Sequence, residues 1–259
     1  MIKALFFDID GTLVSFRTHA IPASTVAALE QAKKAGVKIF IATGRPIAII
    51  DNLGAIEHLI DGYVTTNGAF SFVGKEVVAC NPIPAEDVRI MARLSDEMHF
   101  ACVYVGEKHI VLQNPNELLY KIFYEYLNVQ HLPENPPLDT IFQERIIQIT
   151  PIIDEPTERI VLPQLSGCIS GRWHPAFTDI TADGADKGKG IERMAARFGI
   201  GIEETMAFGD GGNDVAMLRR AGIGVAMGNA NDAVKSQADY VTTSVDEDGV
   251  LRALQHFLG

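Results

Sequence analysis

The sequence contains little that is typical of secreted, disulfide-rich or membrane proteins. It has only three cysteines, Cys80, Cys102 and Cys168, and their wide spacing excludes a disulfide framework and a CxxC redox pair. No stretch approaches the ~18 uninterrupted apolar residues that a membrane helix needs. The chain leads from Met1 directly into an apolar segment, which is unlike a signal peptide. We therefore expect a cytoplasmic protein with free thiols and no membrane partner.

Basic residues are also few, which limits the class of ligand. The 22 Lys and Arg are outnumbered by 33 Asp and Glu, and the formal net charge is −11. General nucleic-acid-binding proteins normally have a basic excess, so we expect no nucleic-acid partner. A small anionic substrate is compatible with this balance where positive charge is concentrated locally. The 259 residues are 47% hydrophobic, which is ample for a large core.

Several familiar ligand motifs are missing. Residues 184–189 are one residue short of the phosphate-binding pattern GxxxxGK, and Gly190 stands where that pattern requires Ser or Thr. There is no complete GxGxxG pattern, no HExxH pattern and no cluster of Cys and His, so we expect no zinc site.

Residues 5–13 form the stretch around which the chain is organised. Residues 5–7 are an apolar run, typical of a parallel strand that is covered on both faces. Asp8 and Asp10 follow, and the period of two along a strand lets both carboxylates point to one side at its end. Gly11 permits a turn. Such close like charges call for a cation or a shared proton, unless the two acids are only turn or capping residues.

A second strand, residues 37–42, also ends in small polar residues. Thr43 and Gly44 follow it, and Pro46 suits the first turn of a helix, which we predict to extend to about Leu59. The N–H groups at a helix start can bind an anion beside the Thr43 hydroxyl. Thr43 could equally be a simple helix cap.

A third strand, residues 204–208, leads into a glycine-rich turn at 209–214. In a parallel sheet this turn places Asp210 at the same edge as Asp8 and Asp10, and three carboxylates suit a hard cation such as Mg²⁺. Lys187 lies at a helix start, where the helix dipole disfavours a cation, and a nearby acidic cluster would explain it. The alternatives are a turn with capping acids and a solvated lysine.

The regular alternation of strands and helices is interrupted once. Residues 1–82 and 181–259 alternate as in a Rossmann-like α/β core domain with a parallel sheet. Residues 83–180 mix strands and helices as in a small inserted α+β domain, with hinges near 81–82 and 181–182. The helices that we predict in the insertion are 85–98, 116–127 and 156–165, and 134–137 is predicted as a loop.

Four motifs in this order resemble those of the haloacid dehalogenase (HAD) superfamily. They are DxDGT at residues 8–12, Thr-Gly at 43–44, the lone Lys187 and GDxxND at 209–214. The resemblance covers the whole chain. The insertion between the second motif and the lysine is similar to the α+β cap of the Cof-type branch, and the chain looks most like bacterial hexose (sugar) phosphate phosphatases.

The resemblance implies Mg²⁺-dependent hydrolysis of small phosphate monoesters through an aspartyl-phosphate. Asp8 would be the nucleophile and Asp10 the general acid and base, with Lys187 as the third catalytic residue. The metal would bind Asp8, Asp210 and the backbone carbonyl of Asp10. Asp214 would support metal-bound water and Lys187. The phosphate would be held by backbone amides near Ile9 and Gly44, by the Thr43 hydroxyl and by Asn213.

The inserted domain would act as a cap that excludes water and contacts the leaving group. Arg45 and residues 172–174 are candidates for sugar recognition, although Trp173, the only tryptophan, could simply belong to the cap core. We expect a monomer. The alternatives are a phosphatase of pyridoxal phosphate, flavin mononucleotide or a polyol phosphate, a phosphotransferase or mutase, and a non-catalytic module that binds a phosphorylated metabolite.

Overall fold

The computed structural model describes residues 1–132 and 135–259, so the predicted loop at 134–137 lies partly outside the described residues. The strands are β1 Ala4–Phe7, β2 Lys38–Ala42, β3 Gly62–Thr65, β4 Phe70–Val73, β5 Glu76–Cys80, β6 Cys102–Gly106, β7 Ile110–Gln113, β8 Ile146–Pro151, β9 Cys168–His174, β10 Phe177–Ala182, β11 Thr205–Gly209, β12 Ile223–Ala226 and β13 Tyr240–Val241. The α-helices are α1 Ala23–Lys34, α2 Ala85–Met98, α3 Glu117–Lys121, α4 Glu155–Val161, α5 Lys187–Arg197, α6 Val215–Arg220, α7 Asp232–Lys235 and α8 Gly249–Leu258. No helix in these ranges has the length and apolar character needed to span a bilayer.

The larger sheet has eight strands in the order β13-β12-β11-β1-β2-β3-β4-β5. The strands from β13 to β3 are parallel, and β4 and β5 add an antiparallel edge. Phe7 of β1 lies opposite Phe208 of β11 and Ile41 of β2. The three segments that follow these strands therefore leave the sheet at the same edge.

Strand β1 is buried on both faces, as its apolar run predicts. Leu5 and Phe7 belong to the core that α1 and α8 cover, whereas Ala4 and Phe6 pack with apolar residues of α5. Because side chains alternate along a strand, the next even position, Asp8, projects towards the α5 side. That is the side on which α5 begins with Lys187.

The smaller sheet has the order β7-β6-β8-β10-β9, and all of its neighbouring strands are antiparallel. Apolar residues of α2 and α4 pack on one face of it, and those of α3 pack on the other. The predicted fold class is therefore confirmed: α/β, with a Rossmann-like parallel-sheet core and an inserted α+β unit. The boundaries at 82/83 and 180/181 stay predictions, and β10 extends to Ala182.

The helix predicted from Pro46 to about Leu59 is wrong. The segment contains only two single turns of 3₁₀-helix, Ile47–Ile49 and Glu57–Leu59. The Ile49 carbonyl accepts a hydrogen bond from the Arg45 guanidinium (3.1 Å) instead of from a later backbone N–H. Gly54 in the middle of the segment further disfavours a helix.

The helix predicted over 116–127 is present in altered form. Helix α3 is continued by a π-helical turn, Ile122–Tyr126, with Leu127 at its end. Single π-helical turns are rare and occur often at functional sites. This turn brings the carbonyl of Leu127 to the Arg45 guanidinium of the larger sheet (2.7 Å).

Candidate active site

A buried lysine joins two of the acidic motifs. The Lys187 ammonium has no exposed surface, and it donates hydrogen bonds to Asp8 Oδ1 (2.7 Å) and to Asp214 Oδ1 (2.6 Å). Burial disfavours the charge, but Asp214 and Asp8 outweigh this and raise the pKa of Lys187 above its ordinary value. Lys187 is therefore a charged member of the cluster rather than a solvated lysine.

The turn after β11 holds Asp210 and Asp214 in fixed positions. The backbone N–H groups of Asp210 and Gly211 both donate to Asp214 Oδ2 (2.9 and 2.8 Å). One oxygen of Asp214 therefore accepts from the turn, and the other accepts from Lys187. The Asp210 carboxylate is held by the Thr12 hydroxyl (3.0 Å) and the Asn229 amide (3.1 Å).

Gly11 is required where the first motif meets the fourth. Its φ of +85° lies in the left-handed region, and a Cβ at this position would collide with the Asp210 carboxylate. The turn after β1 closes with N–H groups of residues 12–14 donating to the Ile9 carbonyl. Gly11 and Thr12 of the first motif thus pack directly against the Asp210 carboxylate.

The acidic cluster has more negative charge than the protein itself balances. Carboxylate oxygens of Asp8, Asp210 and Asp214 lie within 4.8 Å of one another, and Lys187 forms ion pairs with two of them, Asp8 and Asp214. Burial raises the pKa of Asp8 well above its ordinary value, and Asp214 adds to this more than Lys187 offsets. Burial and Asp214 likewise raise the pKa of Asp210 to about 7. A divalent cation bound by oxygen atoms fits this donor set.

Asp10 faces away from this cluster and is paired with Arg45. The guanidinium donates to both carboxylate oxygens, from Nε and from a terminal nitrogen, each at 2.7 Å. Arg45 also donates to the carbonyls of Ile49 and Leu127, and only 4% of its surface is exposed. The sequence suggested Arg45 as a sugar-binding residue, and the structure places most of its donors on other groups of the protein.

Thr43 and Gly44 line the cavity next to Asp8. The Thr43 hydroxyl accepts a hydrogen bond from the Arg45 N–H (3.1 Å), and the Thr43 carbonyl accepts one from the Asn67 N–H (3.1 Å). The expected helix start is absent, and the backbone at this strand end is a loop.

Asn213 from the fourth motif reaches across to the loop after β3. Its amide donates to Asn67 Oδ1 (3.0 Å), and the Asn67 amide donates to Asp179 Oδ2 of the smaller sheet (3.2 Å). This chain of side chains links the two sheets beside the cavity. Sequence reasoning predicted Asn213 but not its partners.

A cavity of about 470 Å³ lies between the two sheets. On the side of the larger sheet it is lined by the predicted motif residues Asp8, Asp10, Thr43, Gly44, Arg45, Asp210, Asn213 and Asp214. On the other side it is lined by Tyr126, Arg172, Trp173, His174 and Pro175. Phe16 of the larger unit stacks on Tyr126 with ring centroids 5.3 Å apart. Three of the four motifs therefore line one cavity together with residues of the inserted unit, and the fourth, the buried Lys187, is hydrogen-bonded to Asp8 and Asp214.

Comparisons with known proteins identify the family of this chain. A family model for haloacid dehalogenase-like hydrolases matches residues 5–254. The chain belongs to this family. The solved structure of the HAD subclass IIB sugar phosphatase BT4131 superimposes with a TM-score of 0.94; it is 53% identical, and 98% of each chain is covered. The putative phosphatase YkrA of Bacillus subtilis is 32% identical over 98% of this chain and 96% of its own. Pyridoxal phosphate phosphatase YbhA of Escherichia coli is 27% identical over 99% of this chain and 98% of its own.

This haloacid dehalogenase-like hydrolase is thus an enzyme of the phosphatase class, and the resemblance drawn from the four motifs is confirmed. The solved structure and both named relatives match nearly the whole chain, so the relationship includes the inserted unit as well as the core. A phosphatase of this family acts on a small phosphorylated substrate.

The candidate residues of the inserted unit are largely engaged within that unit. The Arg172 guanidinium donates to Glu158 (2.5 Å) and to the carbonyls of residues 153, 174, 175 and 177. The Trp173 indole N–H donates to Asp179 (3.0 Å). The His174 ring stacks on Phe177 (4.9 Å), and burial together with Arg172 lowers the pKa of His174 below its ordinary value.

Several site residues were missed from the sequence. Thr12 and Asn229 hold Asp210, and Asn67, which Asp179 holds in turn, binds Asn213. Thr12 is part of the first motif, and the other three residues belong to no recognisable sequence pattern. Asn67 is followed by Gly68, and an Asn-Gly pair in a sequence indicates no more than a turn. The available signal for Asp179 was a lone acid inside an otherwise uncharged strand, β10.

Proposed function

We propose that this chain hydrolyses small phosphate monoesters, most often sugar phosphates, with Mg²⁺ and through an aspartyl-phosphate on Asp8. One observation supports this above the others. The Asp8 carboxylate lies at the cavity, on a buried lysine and beside two further carboxylates, with Asp10 two residues away. A nucleophile, a cation and an acid–base group are thus gathered at one edge of the sheet.

The need for cations follows from electrostatics. A carboxylate ~4 Å from a phosphate dianion is opposed by roughly 8 kcal/mol at an effective dielectric constant of ~20. Lys187 offsets part of this repulsion. Asp8, Asp210 and the backbone carbonyl of Asp10 would hold Mg²⁺, which when bound neutralises the cluster and the phosphate oxygens. Residues of the chain do the rest by positioning.

In the first step an oxygen of Asp8 attacks phosphorus, and the bond from phosphorus to the leaving oxygen breaks. Protonated Asp10 gives its proton to the leaving alcohol, and Arg45 stabilises the carboxylate that remains. In the second step Asp10 takes a proton from water, whose oxygen attacks phosphorus. The bond between phosphorus and Asp8 then breaks, which regenerates the enzyme and releases phosphate.

Thr43, the backbone near Ile9 and Gly44, and Asn213 hold the phosphate oxygens in this proposal. Residues 83–180 form the cap, hinged near 81–82 and 181–182, which excludes bulk water from the cavity. The cap residues of the same chain line the cavity, so the enzyme needs no second subunit to complete its site and works as a monomer. Its compartment is the cytoplasm.

Sugar phosphates are the preferred substrate class because the 53% identical relative is a sugar phosphatase and because a cavity of about 470 Å³ can hold a small phosphorylated ligand. A specific observation favours a second class. Tyr126, Phe16 and His174 form an aromatic wall, with Tyr126 centred 4.7 Å from His174. Such a wall suits a planar ring such as that of pyridoxal phosphate, the substrate named for a 27% identical relative.

The test is phosphate release from a panel of phosphorylated metabolites, with Mg²⁺ and with chelator, by the wild type and by Asp8→Asn. We expect metal-dependent release that the substitution lowers by about 10⁴-fold or more, because the nucleophile is lost. Asp61→Asn is the matched control, since Asp61 binds Lys33 and Lys38 at the opposite end of strand β2. Silence across the panel, or activity that survives Asp8→Asn, would contradict the proposal. Transfer to an added alcohol in preference to water would indicate a phosphotransferase.

A further inference from the structure

Asp179 is a buried acid of the smaller sheet to which the chemistry above assigns no role. It lies on β10 with 4% of its surface exposed. Thr150 and Gln148 donate to its Oδ1 (2.8 and 3.0 Å), and Trp173 and Asn67 donate to its Oδ2 (3.0 and 3.2 Å). Three of these donors belong to the smaller sheet and one belongs to the core. Asp179 is therefore anchored in the cap and reaches the core through one side chain.

That side chain, Asn67, is held in a strained turn. Thr66 and Asn67 both have left-handed backbones, with φ of 49° and 52°. Such conformations are unusual for residues other than glycine and cluster at functional sites. The Asn67 N–H donates to the Thr43 carbonyl (3.1 Å), so the backbone of the turn is tied to the phosphate loop.

The polarity of the Asn67 amide follows from Asp179. A carboxylate accepts hydrogen bonds and an amide group has one donor and one acceptor end, so Asn67 directs its nitrogen to Asp179. Its oxygen is then left to accept the hydrogen bond from the Asn213 amide (3.0 Å). Asn213 in turn lines the cavity beside Asp8.

Gly44 allows this contact to form. A Cβ at Gly44 would lie 3.1 Å from Asp179 Oδ2 and 3.2 Å from Asn67 Oδ1, which is tighter than ordinary packing. Three segments therefore meet at Gly44, which has no side chain to keep them apart: the loop that ends β2, the turn after β3 and the cap carboxylate of Asp179.

We propose that Asp179 is a positioning residue that acts through Asn67 to hold Asn213 in its phosphate-facing orientation. This inference rests on the proposed function, which places Asn213 at the phosphate. It assigns to the cap a second task besides contact with the leaving group: the docked cap completes the phosphate site of the core.

The consequence is a loss that does not depend on the leaving group. Asp179→Leu removes the acceptor that fixes the Asn67 amide, and we expect kcat/KM to fall about tenfold for sugar phosphates and for p-nitrophenyl phosphate alike. A cap residue that contacted only the leaving group would change the ratio between these substrates.

The deciding experiment is a double-mutant cycle between Asp179→Leu and Asn213→Ala. If Asp179 acts through Asn213, its substitution causes almost no further loss of kcat/KM once Asn213 is truncated. A full additional tenfold loss in the Asn213→Ala background would overturn the proposal. Asp87→Asn is the matched control, because Asp87 is 1% exposed in the same cap but caps the N–H groups of residues 166 and 167.

Two further variants guard against a folding defect. Asn67→Gly breaks the same link, and glycine tolerates the backbone with φ of 52°. It should reproduce the loss of Asp179→Leu. Asp179→Asn should lose less, because its Nδ2 can donate to the Thr150 hydroxyl, and the Gln148 amide, which now donates from Nε2, can turn over and present its unpartnered Oε1 as an acceptor. An Asn67→Gly variant with wild-type kcat/KM would overturn the proposal.

The affinity for inorganic phosphate in the presence of Mg²⁺, measured by titration calorimetry, gives a readout that needs no turnover. We expect Asp179→Leu and Asn67→Gly to weaken it about tenfold, again without additivity to Asn213→Ala. Should the wild type hydrolyse no monoester, the proposed function fails while this measurement still decides the role of Asp179. Unchanged phosphate affinity in both variants would refute that role.

Discussion

The two walls of the cavity differ in how completely their polar side chains are paired within the protein. On the core side, Lys187 is shared by carboxylates that outnumber it. On the cap side, Arg172 donates hydrogen bonds to Glu158 and to carbonyls of the cap, and the Trp173 N–H donates to Asp179. The core wall therefore keeps unbalanced negative charge that a bound cation or proton neutralises, whereas the polar side chains of the cap wall already have partners within the protein.

This difference indicates a division of labour. Unbalanced buried charge raises the energy of the empty site and favours bound cations and phosphate. The cap side chains, whose polar groups are already hydrogen-bonded within the protein, give the cavity its shape and apolar surface. Changes to the core wall should therefore affect every substrate, whereas changes to the cavity-facing cap residues should affect substrates unequally. The following predictions test this contrast in order of expected size.

Lys187→Met should have the largest effect. It removes the ammonium group shared by Asp8 and Asp214 and leaves buried charge without a partner. We expect kcat/KM to fall by about 10³-fold or more, and the free energy of unfolding to fall by about 3–5 kcal/mol. Urea unfolding and steady-state kinetics measure the two losses. Lys33→Met, which breaks a half-exposed pair with Asp61, is the control; equal destabilisation by both would contradict the contrast.

Asp10→Asn should have the next largest effect and should depend on the leaving group. Without a proton donor we expect the first step to slow by about 10²- to 10³-fold for a sugar phosphate. p-Nitrophenol leaves without protonation, so that substrate should lose much less and should show a burst, since the second step still needs a base. Rapid mixing follows the burst. An equal loss for both substrates would show that Asp10 is not the general acid.

Removal of the metal should make stability depend on pH. Burial and Asp214 raise the folded-state pKa of Asp210 to about 7, whereas an unfolded aspartate has a pKa near ~3.9. Between these values the folded state holds a proton that the unfolded chain has released, so stability falls as pH rises. In chelator we expect Tm to be about 3 °C or more higher at about pH 5 than at about pH 8.

Added Mg²⁺ should abolish most of that difference by restoring Tm at the higher pH. Asp210→Asn should reduce the pH dependence of Tm in chelator, because one of the two acids with a raised folded-state pKa is gone while Asp8 still titrates. Thermal scans at several pH values measure both effects. A chelated wild type whose Tm is independent of pH across this window would mean that the cluster does not bear unbalanced charge.

His174→Ala should have the smallest effect and the most selective one. The ring lines the cavity and faces Tyr126 at 4.7 Å. We expect the rank order of kcat/KM among sugar phosphates to change by up to about tenfold, while p-nitrophenyl phosphate changes by about twofold. Steady-state kinetics over the metabolite panel measures it. A uniform loss over all substrates would erase the contrast between the two walls.

The motif residues of the core could be read from the sequence because each group follows a strand of one parallel sheet. Asp8 and Asp210 are separated by two hundred residues, yet both are the first polar residues after apolar strands that pair in register. Strand period and sheet topology bring such residues together by a general rule. The confirmed fold class rests on the same alternation.

Other features could not be read in this way. The prediction of a helix after Pro46 was wrong. The Ile49 carbonyl accepts a hydrogen bond from the Arg45 guanidinium, which also donates to Asp10 and to the Leu127 carbonyl of the cap. Asn67 and Asp179 are far apart in sequence and follow no shared period. Their contact depends on how the cap docks, and local patterns do not encode docking.

The sequence by itself determined which groups this protein brings together: apolar strands, the acids at their ends and the lysine at a helix start specify an acidic cluster at one sheet edge. Only the tertiary structure decided how that site is balanced and completed. It placed Arg45 on Asp10, gave Lys187 two carboxylates and connected Asn213 to Asp179. The reason is physical: strand periodicity is local, whereas the pairing of buried polar groups depends on which surfaces meet when the chain is packed.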